Sequence, residues 1–462
     1  MQILFMEERG KPLPIETLPR DELEKIQDKL VRSIVKKAYG HSRHWHKKFE
    51  SLKIKPSEIK CREDLRKAYV KGLRLTDEDL SSKIAEIFSD YLGAKPYTLL
   101  TTSGTGKRGH FKQIPYTDDD FKRTNDQLLQ LYNEMGVSKG EMVINALGSL
   151  PNASGIMAMK ALETVGASHI EVWVDMPSSA IQDMIKTHNA KYFLGLGSKV
   201  LELGNYLEAM GMKPQELGIN KIAIGGEPFS FTLKEKIKNL WNAEVFDVYA
   251  SAECGIVGFD CHSHNGLHVT ENRTLVDIVD PERGEVKERE EEGTVLVTLL
   301  YDVDENPGTF MINKEMGDAS KILDTTCECG RSTFRINYPY RVDDIFSIEA
   351  KKFNARAVEK ILYDDNFTGN YVVVKYTNKE TGKLEKLQIR TEVKELSSIY
   401  KNNVQEAIDA FAESNPLSYE ILQKLKNENR IEVLYMPKSE LFKGMEAYLR
   451  KGKAIRFIEI LV

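Results

Sequence analysis

The sequence predicts an α/β chain: a large N-terminal α/β domain of layered sheets that includes a β-rich part, followed by a small C-terminal α+β domain. Two patterns and one argument of scale lead there. Between residues 140 and 250 short apolar runs alternate with segments of helical periodicity, as in a largely parallel sheet whose ligand sites lie at the carboxyl ends of its strands. From about 268 to 348 the apolar runs lengthen and separate, as in an appended β-rich layer. A chain of 462 residues also exceeds what one core sustains, because a single core stops growing near roughly 250–300 residues.

The region up to about residue 95 reads as helical. Within 21–39, Leu23, Ile26, Leu30, Ile34 and Val35 fall on one stripe. His41, His44 and His46 read as turn and surface residues beside Trp45 and Phe49. Strands are expected at 142–146, 169–174, 191–196, 221–226 and 244–250, with helices such as 231–241 between them. The β-rich part, about 255–340, carries runs at 293–301 and 332–336. A boundary is expected near 342, giving domains 1–342 and 343–462. The second reads as a helix at about 353–363, a hairpin of 371–377 and 383–391, a long helix at about 395–427, and strands at 431–436 and 454–462.

Composition narrows the function. The balance of 65 basic against 70 acidic residues, a net charge of −5, argues against a general nucleic-acid or anionic-membrane binder. No run reaches the roughly 18 apolar residues of a membrane span. The opening MQILFMEERGKPLP has no basic flank or cleavage pattern of a secretory signal. Five cysteines, an odd number in a long chain, suit a cytoplasmic, reducing setting in which clustered thiols bind metal or lie buried.

The densest chemical signal is YTLLTTSGTGKRGHFKQIPYT (97–117). Thr101, Thr102, Ser103 and Thr105 offer hydroxyls, Gly104, Gly106 and Gly109 let backbone N–H groups approach an oxyanion, and Lys107 and Arg108 neutralise charge. A Walker loop does not fit, because position 101 is Thr and position 108 is Arg. Gly104, Gly106 and Gly109 match the dinucleotide spacing, but the residues that follow are β-like and contain Pro115, where that fingerprint needs a helix. A polar surface turn is the bland alternative.

The loop instead resembles the pyrophosphate-binding loop of the adenylate-forming enzymes, and further motifs follow in order. GGEPF (225–229) resembles their adenine-contacting turn, YASAECG (249–255) their aromatic-x-x-Thr/Ser-Glu motif, and MGDAS (316–320) their ribose-binding aspartate segment. YRVDDIF (340–346) resembles the hinge motif and KGKAIRF (451–457) the segment that carries a catalytic lysine. Within that superfamily the chain is most similar to the phenylacetate–CoA ligase-like family, through KIKPSEIKCREDLRK (53–67), GVSKGEMVINAL (136–147), DCHSHNGLHV (260–269) and CECGR (327–331). Departures are the single Thr in the loop, Ala252, Tyr340 in place of the hinge Gly, and the absence of basic residues usual before Gly317-Asp318.

The resemblance implies activation of a carboxylic acid by ATP to an acyl adenylate, followed by transfer to coenzyme A. Ser103, Gly104, Thr105, Gly106 and Lys107 would hold the phosphates, Glu253 would bind Mg²⁺, and Tyr249 would stack on adenine. Gly226, Glu227 and Pro228 would line the adenine edge, Asp318 and Arg341 would hold the ribose, and Lys453 would neutralise the forming adenylate, with Lys451 as its near rival. Asp343 would be the hinge. Leu147, Leu150, Ile156 and Met157 would line a pocket for an aryl or medium aliphatic acid, although core packing is the simpler role for each.

Cys327-x-Cys329-Gly330 is a short knuckle, and Cys261 with His268 completes a tetrahedral set for structural Zn²⁺. Such a site would staple the β-rich part, where apolar burial looks thin. Cys254 is the competing ligand; His262 and His264 read as turn residues and Cys61 as an isolated thiol. Two other functions stay open: an adenylating ligase with an amine, hydroxyl or carrier-protein acceptor, and a zinc-containing nucleotide-binding module without ligase chemistry. A homodimer is compatible with all three.

Overall fold

The computed structural model describes residues 11–93, 96–102, 112–148, 153–173, 176–227, 231–324, 326–349, 351–362, 366–395, 404–414, 419–437, 440–443, 445 and 456–462. It is an α/β chain that divides into two compact units. The first gathers Met1–Gly195, Leu217–Gly226 and Glu244–Pro339; the second gathers Leu196–Glu216, Glu227–Ala243 and Tyr340–Val462.

The helical start forms as Arg20–His41 and Arg43–Leu52. Leu23, Leu30, Val31, Ile34 and Val35 face the core, but Ile26 is exposed and Gln27 is buried in its stead, donating to the Glu271 carbonyl at 2.9 Å. The stripe was drawn from apolar residues alone, whereas an amide whose hydrogen bonds are met can take a core position. His44 is likewise not a surface residue: it lies buried within the second helix, and burial depresses its pKa to about 4. His41 ends the first helix against Asp90 at 2.8 Å, and His46 lies in the second helix beside Tyr39.

Strands β1 (Thr98–Thr102) and β2 (Lys112–Tyr116) form an antiparallel pair in which Thr102 faces Lys112, so the glycine-rich loop is the excursion between them. β3 (Met142–Ala146), β4 (Ser168–Glu171), β5 (Tyr192–Gly195), β6 (Lys221–Gly225) and β7 (Glu244–Ser251) are parallel. β8 (Gly255–Asp260), β9 (Leu267–Val269) and β13 (Arg335–Ile336) continue the same sheet antiparallel. The order is β13-β9-β8-β7-β6-β5-β3-β4, so the chain reverses its winding between β3 and β5, the place where such sheets open a crevice for ligand. β4 is shorter than the apolar run 169–174, ending before exposed Trp173, and the run 332–336 yields only the two residues of β13.

β10 (Thr274–Val279), β11 (Gly293–Leu299) and β12 (Lys314–Ser320) form an antiparallel meander. Apolar burial there is not thin: Val276, Ile278, Val295 and Val297 are fully buried in the main core. β-Branched side chains on two covered faces leave little room for polar alternation, and this hides the depth of burial from the pattern.

In the C-terminal part the short β14 (Tyr340–Arg341) precedes β15 (Ile345–Ile348) and β16 (Lys351–Asn354), which form a hairpin, and the expected helix beyond them is a 3₁₀ segment, Ala355–Leu362. β17 (Phe367–Thr377) and β18 (Leu384–Val393) form the expected long hairpin. β19 (Ile431–Met436) and β20 (Phe457–Leu461) add in parallel to give the order β19-β18-β17-β20. Within the single long helix expected over 395–427, the described residues form helices Val404–Ser414 and Tyr419–Asn427. Helices Gly197–Ala209 and Phe231–Trp241 group with this part: a Cβ on Gly369 would come within 2.6 Å of Leu201, and Lys236 donates to the Phe367 carbonyl.

Trp45 is wholly buried and its indole N–H donates to the Phe310 carbonyl at 3.0 Å, tying the helical start to the β-rich part. Trp45→Phe removes that donor from a buried acceptor and should cost about 1–3 kcal/mol. The check is urea unfolding, where an unchanged midpoint would refute the bond's structural weight.

Candidate active site and metal corner

The register of β6 and β7 brings two predicted motifs together. Gly225 pairs with Val248 in parallel, so the turn after β6 and Tyr249 near the end of β7 leave the same edge of the sheet. Glycine is needed twice there. A Cβ on Gly225 would lie 2.9 Å from the Val248 carbonyl, and Gly226 has φ of +82°. Glu227, which follows, accepts from the Ser198 N–H at 2.6 Å in the first turn of helix Gly197–Ala209. Tyr249 donates its hydroxyl to Asp318 Oδ2 at 2.8 Å, so the predicted adenine-stacking ring and the predicted ribose carboxylate are already joined.

Glu253 sits in the turn between β7 and β8, nearly buried, with Lys112 Nζ 2.6 Å from its Oε1. Lys112 also lies 2.7 Å from Asp77 Oδ1, and Lys314 Nζ reaches the same oxygen at 2.6 Å. Four alternating charges therefore close on one another under the root of the glycine-rich loop. Sequence reading missed Lys112, Asp77 and Lys314. The available signal was a lone lysine in an apolar strand, since a buried lysine requires a counter-charge. Tyr116, at the other end of β2, donates to the Ala252 carbonyl at 2.8 Å and so braces the residue before Glu253. Leu147, Ile156 and Met157 belong to or pack against the main core. Arg341 lies 3.7 Å from Asp343, beside the expected hinge. Ser103, Gly104, Thr105, Gly106, Lys107, Pro228, Leu150, Lys451 and Lys453 lie outside the described residues.

The second cluster forms where β8, β9 and β13 meet. Cys261 follows β8, His268 lies in β9 opposite Phe259 and Arg335, and Cys327 and Cys329 precede β13. Three sulfurs and one imidazole nitrogen lie within 4.8 Å of one another, the donor set and spread of a tetrahedral site for a soft or borderline cation. His268 directs Nδ1 at the Thr333 carbonyl (3.2 Å) and hydroxyl (3.0 Å), leaving Nε2 toward Cys329 Sγ at 3.3 Å. The Cys261 thiol and then the His268 ring hold the Cys329 sulfur far below the usual thiol range. All five cysteines are free. Cys254 is elsewhere, 3.9 Å from Met316 sulfur, and burial pushes its thiol up to about 11. His262 and His264 face Glu134 and Asp260, and Cys61 faces Asp64.

The chain shares its fold with a solved CoA ligase, and its sequence is similar to curated phenylacetate-coenzyme A ligases. Over 387 residues the chain is 21% identical to the phenylacetate-coenzyme A ligase of Thermus thermophilus, covering 82% of this chain and 84% of that one. It is 22% identical to the Pseudomonas putida enzyme of the same name over 385 residues, with the same coverage. No protein-family model matches the chain. Among solved structures, 2-hydroxyisobutyryl-CoA ligase in the postadenylation state with 2-HIB-AMP superposes with a TM-score of 0.80 at 19% identity, over 99% of this chain and 94% of that one. The same enzyme with 2-HIB-AMP and CoA, in the thioesterification state, gives 0.68 at 19% identity over 99% and 94%.

Burial would raise the Glu253 pKa, but Lys112, with Lys314 behind it, lowers it to about 2 from an ordinary 4.5. A carboxyl depressed on folding contributes stability that is complete above its unfolded value and lost as pH falls through the folded one. Lys112→Met should therefore cost about 3–5 kcal/mol at neutral pH by leaving buried carboxylate unpaired. Urea unfolding across a pH series should also show a smaller acid-side loss between pH 4.5 and 2 than in the parent. An identical acid limb would exclude this pair as its source.

Proposed function

We propose that the protein is an AMP-forming acid–thiol ligase. It joins a carboxylic acid to ATP as an acyl adenylate and then passes the acyl group to coenzyme A. The observation that carries this reading is the meeting of the glycine turn after β6, Tyr249 on β7 and the Tyr249–Asp318 bond at one edge of the parallel sheet. The names of the relatives point the same way: phenylacetate-coenzyme A ligases in sequence, and a CoA ligase holding an acyl adenylate in structure.

In this reading the acid's carboxylate oxygen attacks the α-phosphorus and displaces pyrophosphate. Charge grows on the phosphate oxygens, so fixed cations and N–H donors supply most of the acceleration. Ser103, Gly104, Thr105, Gly106 and Lys107 cradle the phosphates, and Glu253 is the carboxylate suited to a hard divalent ion such as Mg²⁺. Tyr249 stacks on adenine beside Gly226, Glu227 and Pro228, while Asp318 and Arg341 take the ribose hydroxyls. Lys453 neutralises the forming adenylate. The C-terminal domain then turns about Asp343, and the coenzyme A thiolate attacks the acyl carbon and releases AMP. The acid is aryl or medium aliphatic. Cys261, His268, Cys327 and Cys329 suit structural Zn²⁺, since four protein ligands leave no open position for chemistry.

Pyrophosphate exchange with a panel of acids that includes phenylacetate and 2-hydroxyisobutyrate should identify a substrate, and coenzyme A should convert its adenylate to a thioester. Exchange without thioester would select an amine, hydroxyl or carrier-protein acceptor; no exchange across the panel would favour a nucleotide-binding module. Lys453→Ala should slow adenylate formation by about two orders of magnitude or more while sparing thioester formation from synthetic acyl adenylate. Equal loss in both half-reactions would contradict its role. Elemental analysis should find about one zinc per chain, consistent with a closed Cys₃His site, and its absence from freshly purified protein would remove the metal from the account.

A further inference from the structure

The C-terminal part buries a charge cluster that the proposed reaction does not use. Arg356 Nε donates to Asp344 Oδ2 at 3.1 Å. Tyr371 donates its hydroxyl to Glu359 Oε1, and Arg456 Nε lies 4.0 Å from that same oxygen. The Arg456 guanidinium sits 4.3 Å from the Tyr371 ring centroid, and its Nη1 donates to the carbonyls of Gly369 at 3.3 Å and Tyr371 at 3.4 Å. Asp344, Glu359 and Arg456 are all at least nine-tenths buried. Burial pushes both carboxyls up and the arginines oppose it, so each acid depends on its partners for charge. Arg356 Nη2, Glu359 Oε2 and Arg456 Nε have no hydrogen-bond partner, so the cluster is not the cheapest way to fill this space.

Its placement along the chain supplies a use. Asp344 directly follows Asp343, the proposed hinge. Arg456 opens the last strand: its carbonyl accepts from Val373 N–H at 2.9 Å, one residue before Phe457 pairs with Val373. Lys453 lies three residues earlier in sequence, so chain length alone keeps its Cα within roughly 10 Å of that of Arg456. We propose that Arg456 and Glu359 are positioning residues: with Arg356 and Asp344 they tie the start of the last strand, three residues beyond Lys453 in sequence, to the segment beside Asp343, and so set the anchor from which the lysine acts. Arg456 is held from the carbonyl edge, the ring face and the carboxylate at once, a three-sided hold that the flexible stem of a lysine does not reproduce. This inference rests on the ligase reading above and adds to it which residues anchor the lysine.

The test compares two half-reactions in Arg456→Gln, Arg456→Lys and Glu359→Gln, using the panel acid with the fastest exchange. Adenylate formation should fall about 10–100-fold in Arg456→Gln and Glu359→Gln, and Arg456→Lys should recover part of it. Thioester formation from preformed acyl adenylate should change less than about threefold. Adding either change to Lys453→Ala should cause little further loss of adenylation, since residues acting through one group are not additive. A merely structural cluster predicts another result: equal loss in both half-reactions, tracking a lower melting temperature, and that outcome overturns the inference. Glu359→Gln keeps shape and the Tyr371 bond, so it reads the split if Arg456→Gln does not fold. Normal exchange by the parent with no split in the variants would overturn this inference alone; no exchange by the parent would overturn the ligase reading and this one with it.

Discussion

Parallel pairing of β6 with β7 is the constraint on which the site depends. Because the two strands run the same way, their carboxyl ends leave the sheet side by side, and segments more than twenty residues apart in sequence become neighbours. Gly225 pays for that closeness by having no side chain, and Gly226 turns the backbone through a region where a Cβ would be strained. β12 then brings Asp318 beneath Tyr249. Without the parallel register the motifs would be present in the chain and scattered in space.

Charge is handled by a related economy. Glu253 is nearly buried, yet remains ionised because Lys112 is fixed at the first residue of β2, across from Thr102. The same register that closes the glycine-rich loop thus places the cation that keeps the carboxylate charged. Asp77 and Lys314 complete an alternating set from a helix start and from β12, and pairs of this kind offset much of each other's desolvation.

The fold class, the parallel strands and the motif order were legible because each depends on local pattern: alternation of apolar runs, glycine where φ is positive, and ordered short motifs. What was not legible depends on partners distant in sequence. Gln27 takes a core position because Glu271 is there to receive it, and His44 is buried within a helix that local polarity assigned to the surface. Lys112 carried no assignment from sequence, because its counter-charges Glu253 and Asp77 lie far from it along the chain. The Cys-x-Cys knuckle was readable from spacing and ligand chemistry, and the family resemblance added Cys261 and His268, whereas their support was not legible.

That support changes what the Cys₃His corner is for. The strands β10 and β11 are buried in the main core, so they need no staple. The excursion between β12 and β13 rejoins the sheet through a strand of two residues, so the knuckle sits where regular pairing is short. Arg331, directly after the knuckle, is buried between Glu16 at 2.6 Å and Glu134 at 2.7 Å. Ser332 N–H and hydroxyl both donate to the Glu16 carbonyl, and the hydroxyl also reaches that of Leu18. The knuckle therefore holds the segment before the first long helix as well as its own loop. Loss of its geometry would free Arg331 from two carboxylates at once, leaving buried charges unpaired on the side of the molecule where the first helices begin. The corner is joined to the candidate site through the scaffold: it lies just beyond β8 and within β9, and β8 is the strand against which β7, with Tyr249, is registered.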